Sequence, residues 1–124
     1  MVLIIGGAYQ GKLDFAKSAF GLSESDVFTC TGGEIDFSRR CIAHLEAYTD
    51  ACARENRDPA ALFRENPDKW KDSVLILGDI SAGVVPMDPE VRRWREENGK
   101  FGRYLAENAE TVYRVFCGLE QRIR

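Results

Sequence analysis

A short apolar run that leads straight into a loop of glycines and one lysine constrains this chain more than anything else in it. Val2-Leu3-Ile4-Ile5 runs into Gly6-Gly7-Ala8-Tyr9-Gln10-Gly11-Lys12, and Leu13, Ala16 and Phe20 then recur at helical spacing. Gly6, four intervening residues and Gly11-Lys12 form the G-x-x-x-x-G-K frame in its strand–loop–helix setting. Such a loop turns main-chain N–H groups inward around a polyphosphate. Lys12 supplies a point charge for the outer phosphates, and the following helix adds its positive end. The frame next requires Ser or Thr, whose hydroxyl holds Mg²⁺, and Leu13 stands there instead. The candidate nucleotide-binding residues are therefore Gly6, Gly7, Ala8, Tyr9, Gln10, Gly11, Lys12 and Leu13. The plainer alternative is a glycine-rich turn that binds nothing.

Length and charge narrow the partners. At 124 residues the chain is expected to be a single domain, 1–124, large enough for a core. A net charge of −3 with interspersed signs gives no basic stripe, which argues against nucleic acid. The apolar runs are too short for a membrane span, and the amino terminus does not read as a secretory leader, so a cytoplasmic protein is expected. Cys30, Cys41, Cys52 and Cys117 form no C-x-x-C pair and read as small, reduced core residues, with Cys41 and Cys52 on one helical stripe. With a single histidine, a zinc site is not expected.

The pattern along the chain is strand–helix repeated. Val27–Cys30 reads as a second strand, followed by a break at Thr31-Gly32-Gly33. Phe37, Cys41, Leu45, Tyr48 and Cys52 fall on one face of a long helix expected from about Asp36 to Glu55. A short helical piece starts at Pro59. Ser73–Leu77 is a third strand leading to Gly78-Asp79, and Gly83 and Pro86 mark the loop that follows. Asp88-Pro89 caps a helix to about Asn108, interrupted by Gly99 and Gly102, which suggest close packing or close approach of a ligand. Thr111–Cys117 closes as a fourth strand. The expected fold is α/β: a three-layer, P-loop NTPase-like arrangement with a small, mostly parallel sheet flanked by helices.

Several short motifs appear in a telling order. They are the loop Gly6-Gly7-Ala8 with Gly11-Lys12, then Arg40-Cys41-Ile42-Ala43-His44, then Asp79-Ile80-Ser81-Ala82-Gly83-Val84-Val85-Pro86. Arg92-Arg93-Trp94-Arg95-Glu96, Gly99-Lys100, Leu105-Ala106, Ala109-Glu110 and Val112 follow. Together they resemble the adenosylcobinamide kinase / adenosylcobinamide-phosphate guanylyltransferase family of cobalamin assembly. The resemblance implies phosphoryl transfer to cobinamide and transfer of GMP from GTP through a histidine, here His44, with GTP or ATP as nucleotide. It also implies Mg²⁺ and a homo-oligomer. Departures are Leu13 in the loop, the loss of Arg-Pro-x-x-Trp after the histidine, Asp79 for Glu and Gly102 for Asn. The length further implies that a middle strand with its acidic metal-holding residue, and the helix after it, are missing.

The catalytic candidates are then Lys12 and His44, and the metal candidate is Asp79. Lys12 neutralises phosphate charge. His44, the only imidazole, can attack phosphorus as a nucleophile, or can be a half-buried helix residue at the edge of the apolar stripe. Asp79 ends an apolar strand, as an acid of the Walker B kind does, or as a turn former does. Arg39, Arg40, Arg92, Arg93 and Arg95 can meet phosphates or water. Gly32, Gly33 and Glu34 can shape a pocket, whereas Trp70 and Trp94 read as packing residues. A protein of this ancestry that binds nucleotide without catalysing, or that serves as an oligomerising partner, is the alternative.

Overall fold

The computed structural model describes residues 1–81 and 87–124. The resemblance motif at 82–86, with Gly83 and Pro86, therefore lies outside the described residues. β1 (Val2–Gly6) is the middle of a sheet because its residues are buried or nearly so on both faces. α1 (Lys12–Phe20) follows, then a 3-10 turn at Glu24–Asp26 and β2 (Val27–Thr29). β3 (Cys41–Ala43) leads into α2 (Leu45–Arg54), α3 (Pro59–Glu65) and α4 (Pro67–Trp70). β4 (Val74–Gly78), α5 (Pro89–Asn108), β5 (Thr111–Phe116) and β6 (Leu119–Arg122) complete the described elements.

The strand order is β2-β3-β4-β1-β5-β6, parallel except for β6, which pairs antiparallel with β5. Alternate residues of the central strands serve two cores. Leu3, Leu75 and Leu77 face Leu45, Tyr48, Phe101 and Leu105 of α2 and α5, while Ile4 and Ile76 face Ala16 of α1. The three-layer α/β arrangement expected from the sequence is the one observed.

Four expectations need correction. The long helix from Asp36 does not exist. Cys41, Ile42 and Ala43 are each buried on a strand between β2 and β4, and α2 begins only at Leu45. The helical spacing of Phe37, Cys41 and Leu45 was coincidental, since burial on both faces gives a continuous apolar run rather than a stripe. Cys41 therefore belongs to a strand, not to a helix face. A strand not expected from the sequence, β3, lies between β2 and β4. The sheet has six described strands instead of four, because β6 is exposed at every residue and so leaves no apolar signal.

Cys117 is the fourth correction. It sits exposed in the turn between β5 and β6 with φ of 51°, followed by Gly118 at φ 75°, so the strand stops at Phe116. Such a pair of positive φ values suits the right-handed twist of a hairpin. Cys30, Cys41 and Cys52 are buried free thiols, and burial pushes Cys30 up to about 12 and Cys41 up to about 11. Native protein treated with a thiol-exchange dye is expected to release one equivalent rapidly and the remainder only on unfolding, since thiolate and access both govern the rate. Two or more fast equivalents would contradict this core.

α5 starts as the sequence anticipates. Asp88 accepts the Glu90 N–H at 2.9 Å and Pro89 occupies the first helical position. Asp58 and Pro59 repeat the device for α3, with the Ala60 N–H at 3.0 Å. Inside α5, Gly99 and Gly102 each cost about 1 kcal/mol relative to alanine. A Cβ on Gly102 would meet Leu77 Cδ2 at 3.1 Å, whereas one on Gly99 would meet no atom of the described residues within 4 Å.

Candidate functional site

Parallel strands deliver their carboxyl ends, and the loops that follow them, to one edge of a sheet. Here Gly6, Ala43 and Gly78 end β1, β3 and β4 on that edge. The loop after β1 bends at Tyr9 (φ 59°) and Gly11 (φ 91°) before α1 begins. Gly6 has no room for a side chain, because its Cβ would fall 2.5 Å from the Val115 carbonyl oxygen. α1 carries no side-chain cap, so its first amides remain open to a ligand.

A cavity of about 490 Å³ lies at the head of α1. Ala8 to Asp14 form one wall, and Ala43, His44, Glu46 and Ile76 face them across the ends of the neighbouring strands. Within it, the Lys12 ammonium donates to the Gly7 carbonyl at 2.5 Å. Burial holds Lys12 below the usual lysine range, and the nearby charges of Glu46 and Asp79 oppose that shift. Tyr9 is fully exposed at the rim. Leu13 borders the cavity and also packs against the α1-side core, so the position that would carry a metal-binding hydroxyl has been given over to packing.

His44 is not a half-buried helix residue. It is the exposed N-cap of α2 at the end of β3, in the left-handed region at φ 57°. Its Nδ1 lies 3.5 Å from Glu46 Oε2, and the other carboxylate oxygen of Glu46 accepts the Gly78 N–H at 2.9 Å. Gly78 must stay bare for this, because its Cβ would come within 2.7 Å of that carboxylate. Trp94 Nε1 donates to the Glu46 carbonyl at 2.9 Å, and buried Asn98 binds the Gly78 carbonyl and Thr49. Glu46 was missed by sequence reasoning, which took it as one more residue of a continuing helix. Its signal was position: an acid three residues beyond a buried triplet at a strand end.

Asp79 does not line this cavity. It borders a second one on the opposite face of the sheet, and its carboxylate accepts the Ser81 N–H at 2.9 Å and the Ser81 hydroxyl at 2.5 Å. Those bonds hold it below the usual carboxylate range. The other candidates are dispersed. Arg39 and Arg40 pair with Asp36 and Asp26, and Arg95 reaches the Ser81 carbonyl. Arg92 and Arg93 are exposed on α5, and Trp70 is buried packing, as expected. Gly32, Gly33 and Glu34 follow β2 without lining the loop cavity. No group of three or more metal-ligating side chains occurs among the described residues. No described helix is long and apolar enough to cross a membrane.

The mostly parallel three-layer sheet, with its glycine–lysine loop opening the first crossover, defines an α/β protein of the P-loop-like kind. The sequence then narrows the class. This chain belongs to the cobinamide kinase / cobinamide phosphate guanyltransferase family, whose model matches residues 41–123. That membership associates it with the transferases of cobalamin biosynthesis. No curated protein matches it. Residues 6–12 precede the matched segment, so the family match does not cover the glycine–lysine loop.

Proposed function

We propose that this protein binds GTP or ATP in the loop cavity and acts as a cobinamide kinase / guanyltransferase-type enzyme. The observation that carries the reading is the convergence of Lys12, His44 and Glu46 on one cavity at the open head of α1. Phosphates would replace the Gly7 carbonyl as partner of the Lys12 ammonium and accept the first amides of α1. His44, exposed and next to Glu46, is available as the group that accepts a nucleotidyl unit, with the carboxylate orienting the ring through Nδ1.

The residues suit Mg²⁺ only as a hydrated ion carried by the phosphates. Leu13 offers no hydroxyl, and one Glu46 oxygen is committed to Gly78. Glu46 would hold such an ion through water, and it would neutralise charge on the transferred group, whereas Asp79, proposed from the sequence for that role, borders the other cavity and is bonded to Ser81. A second reading is favoured by the packing of Leu13: a protein of this family that binds nucleotide but has lost the transfer reactions, serving as an oligomerising partner. Either reading is compatible with self-association through the exposed edge strands.

Incubation with GTP labelled at the α-phosphate is expected to leave acid-labile label on the protein, and His44→Ala should remove it. Label without dependence on His44 would reject the nucleophile. Nucleotide-induced stabilisation without label, or without phosphorylated cobinamide, would select the silent form. Identical melting temperatures with and without millimolar GTP or ATP would reject both readings.

A further inference from the structure

The second cavity, about 290 Å³, lies across the sheet from the phosphate loop, between the ends of β1 and β4 and the middle of α5. Ile5 and Leu77 give it an apolar floor, and Gly99 and Gly102 form the α5 wall. Arg103 and Arg114 stand at its edge, and their side chains make no hydrogen bond or ion pair among the described residues. Asp79, the one carboxylate there, is occupied by Ser81 and only electrostatically coupled to Arg114. The lining therefore has a surplus of positive charge next to an apolar surface.

Gly99 keeps one side of the hollow open. It stands in the interior of a long helix, where glycine is unfavourable, yet an added Cβ would meet no atom of the described residues within 4 Å. Among the described residues nothing packs against this exposed position, so the α5 wall stays open there. Chemically, an apolar hollow with a few convergent polar groups is how small-molecule sites are built. Two guanidinium groups at the rim suit a carboxylate, phosphate or sulfonate.

We propose that this hollow is a ligand site, separate from the loop cavity, for a compact amphipathic anion: an apolar ring system bearing one acidic group. The ring lies on Ile5 and Leu77, and the anion meets Arg103 and Arg114. The proposal does not depend on nucleotide binding, because Lys12, His44 and Glu46 do not line this hollow.

The test uses 1-anilinonaphthalene-8-sulfonate with the full chain, followed by fluorescence and by calorimetric stoichiometry. One saturable site is expected. Gly99→Phe, which fills the wall from a position with room for it, should weaken binding at least tenfold. Arg103→Glu with Arg114→Glu should do the same, and the loss should shrink in high salt. Replacing the exposed apolar pair Phe116 and Leu119 by serine should leave binding unchanged. Circular dichroism confirms that each variant is folded. Unaltered affinity in both site variants, dependence on Phe116 and Leu119, or no saturable binding would overturn the proposal. GTP stabilisation measured on the same Gly99→Phe protein reads the loop cavity separately.

Discussion

Lys12→Met is expected to reduce affinity for GTP and ATP by about 10- to 100-fold, as loss of a charge-assisted bond worth about 1.5–3 kcal/mol implies. Its effect on the fold should be opposite in direction. The ammonium is held below the usual lysine range because it is partly buried, so the folded state disfavours its charge. The sign follows from linkage. A lysine whose folded value is depressed destabilises the native state below that value, and the penalty fades as pH rises through the unfolded lysine range. Methionine keeps the apolar stem and removes the buried charge. The variant should therefore unfold at an equal or higher urea concentration than the parent at neutral pH, while titration calorimetry shows weakened nucleotide. Equal affinities would remove Lys12 from the site. A marked loss of stability would mean that its bond to Gly7 matters for the fold rather than for a ligand.

The second large effect is on folding. Phe63→Ala should lower stability by about 3–5 kcal/mol, the range for deleting a large buried ring. Phe63 is fully buried, and its ring lies 5.2 Å from Phe37, 5.8 Å from Tyr48, 5.5 Å from Trp70 and 5.1 Å from Phe101. Most of these contacts are edge-on, the geometry that adds to area burial. Its carbonyl also accepts Trp70 Nε1 at 2.7 Å. The ring thus joins α3, α4 and α5, and neighbours drawn from separate elements cannot collapse into the vacancy together. A domain stable by about 5–15 kcal/mol loses a large share of that margin. Urea unfolding monitored by tryptophan fluorescence measures it. A change below about 1 kcal/mol would show that the cluster repacks freely.

Much of the architecture could be read from residues alone where one physical signal dominated. Val2–Ile5 and Val74–Leu77 are continuous apolar runs, Pro59 and Asp88-Pro89 are start signals, and Gly11-Lys12 marks a loop. Where two signals competed, the reading failed. Residues 41–43 satisfy a helical stripe and a buried strand equally well, and only their place between β2 and β4 decides. β6 is held by pairing with β5 and has no buried face to announce it. The site divides in the same way. Lys12 and the loop were visible because their spacing is a local motif. Glu46 was not, because its role depends on the Gly78 amide, far away in sequence. Asp79 was read by analogy with other strand-end acids, and its side of the sheet is a tertiary fact.

The turn at Cys117 and Gly118 also touches the glycine–lysine loop. The Cys117 N–H donates to Gln10 Oε1 at 2.5 Å, and the Gly118 N–H donates to the Gln10 carbonyl at 2.9 Å. The loop is thereby splinted by the far end of the chain before any ligand arrives. Its conformational entropy is surrendered during folding, so an anion bound there, as proposed, would meet a preorganised cradle and forgo little affinity in ordering it.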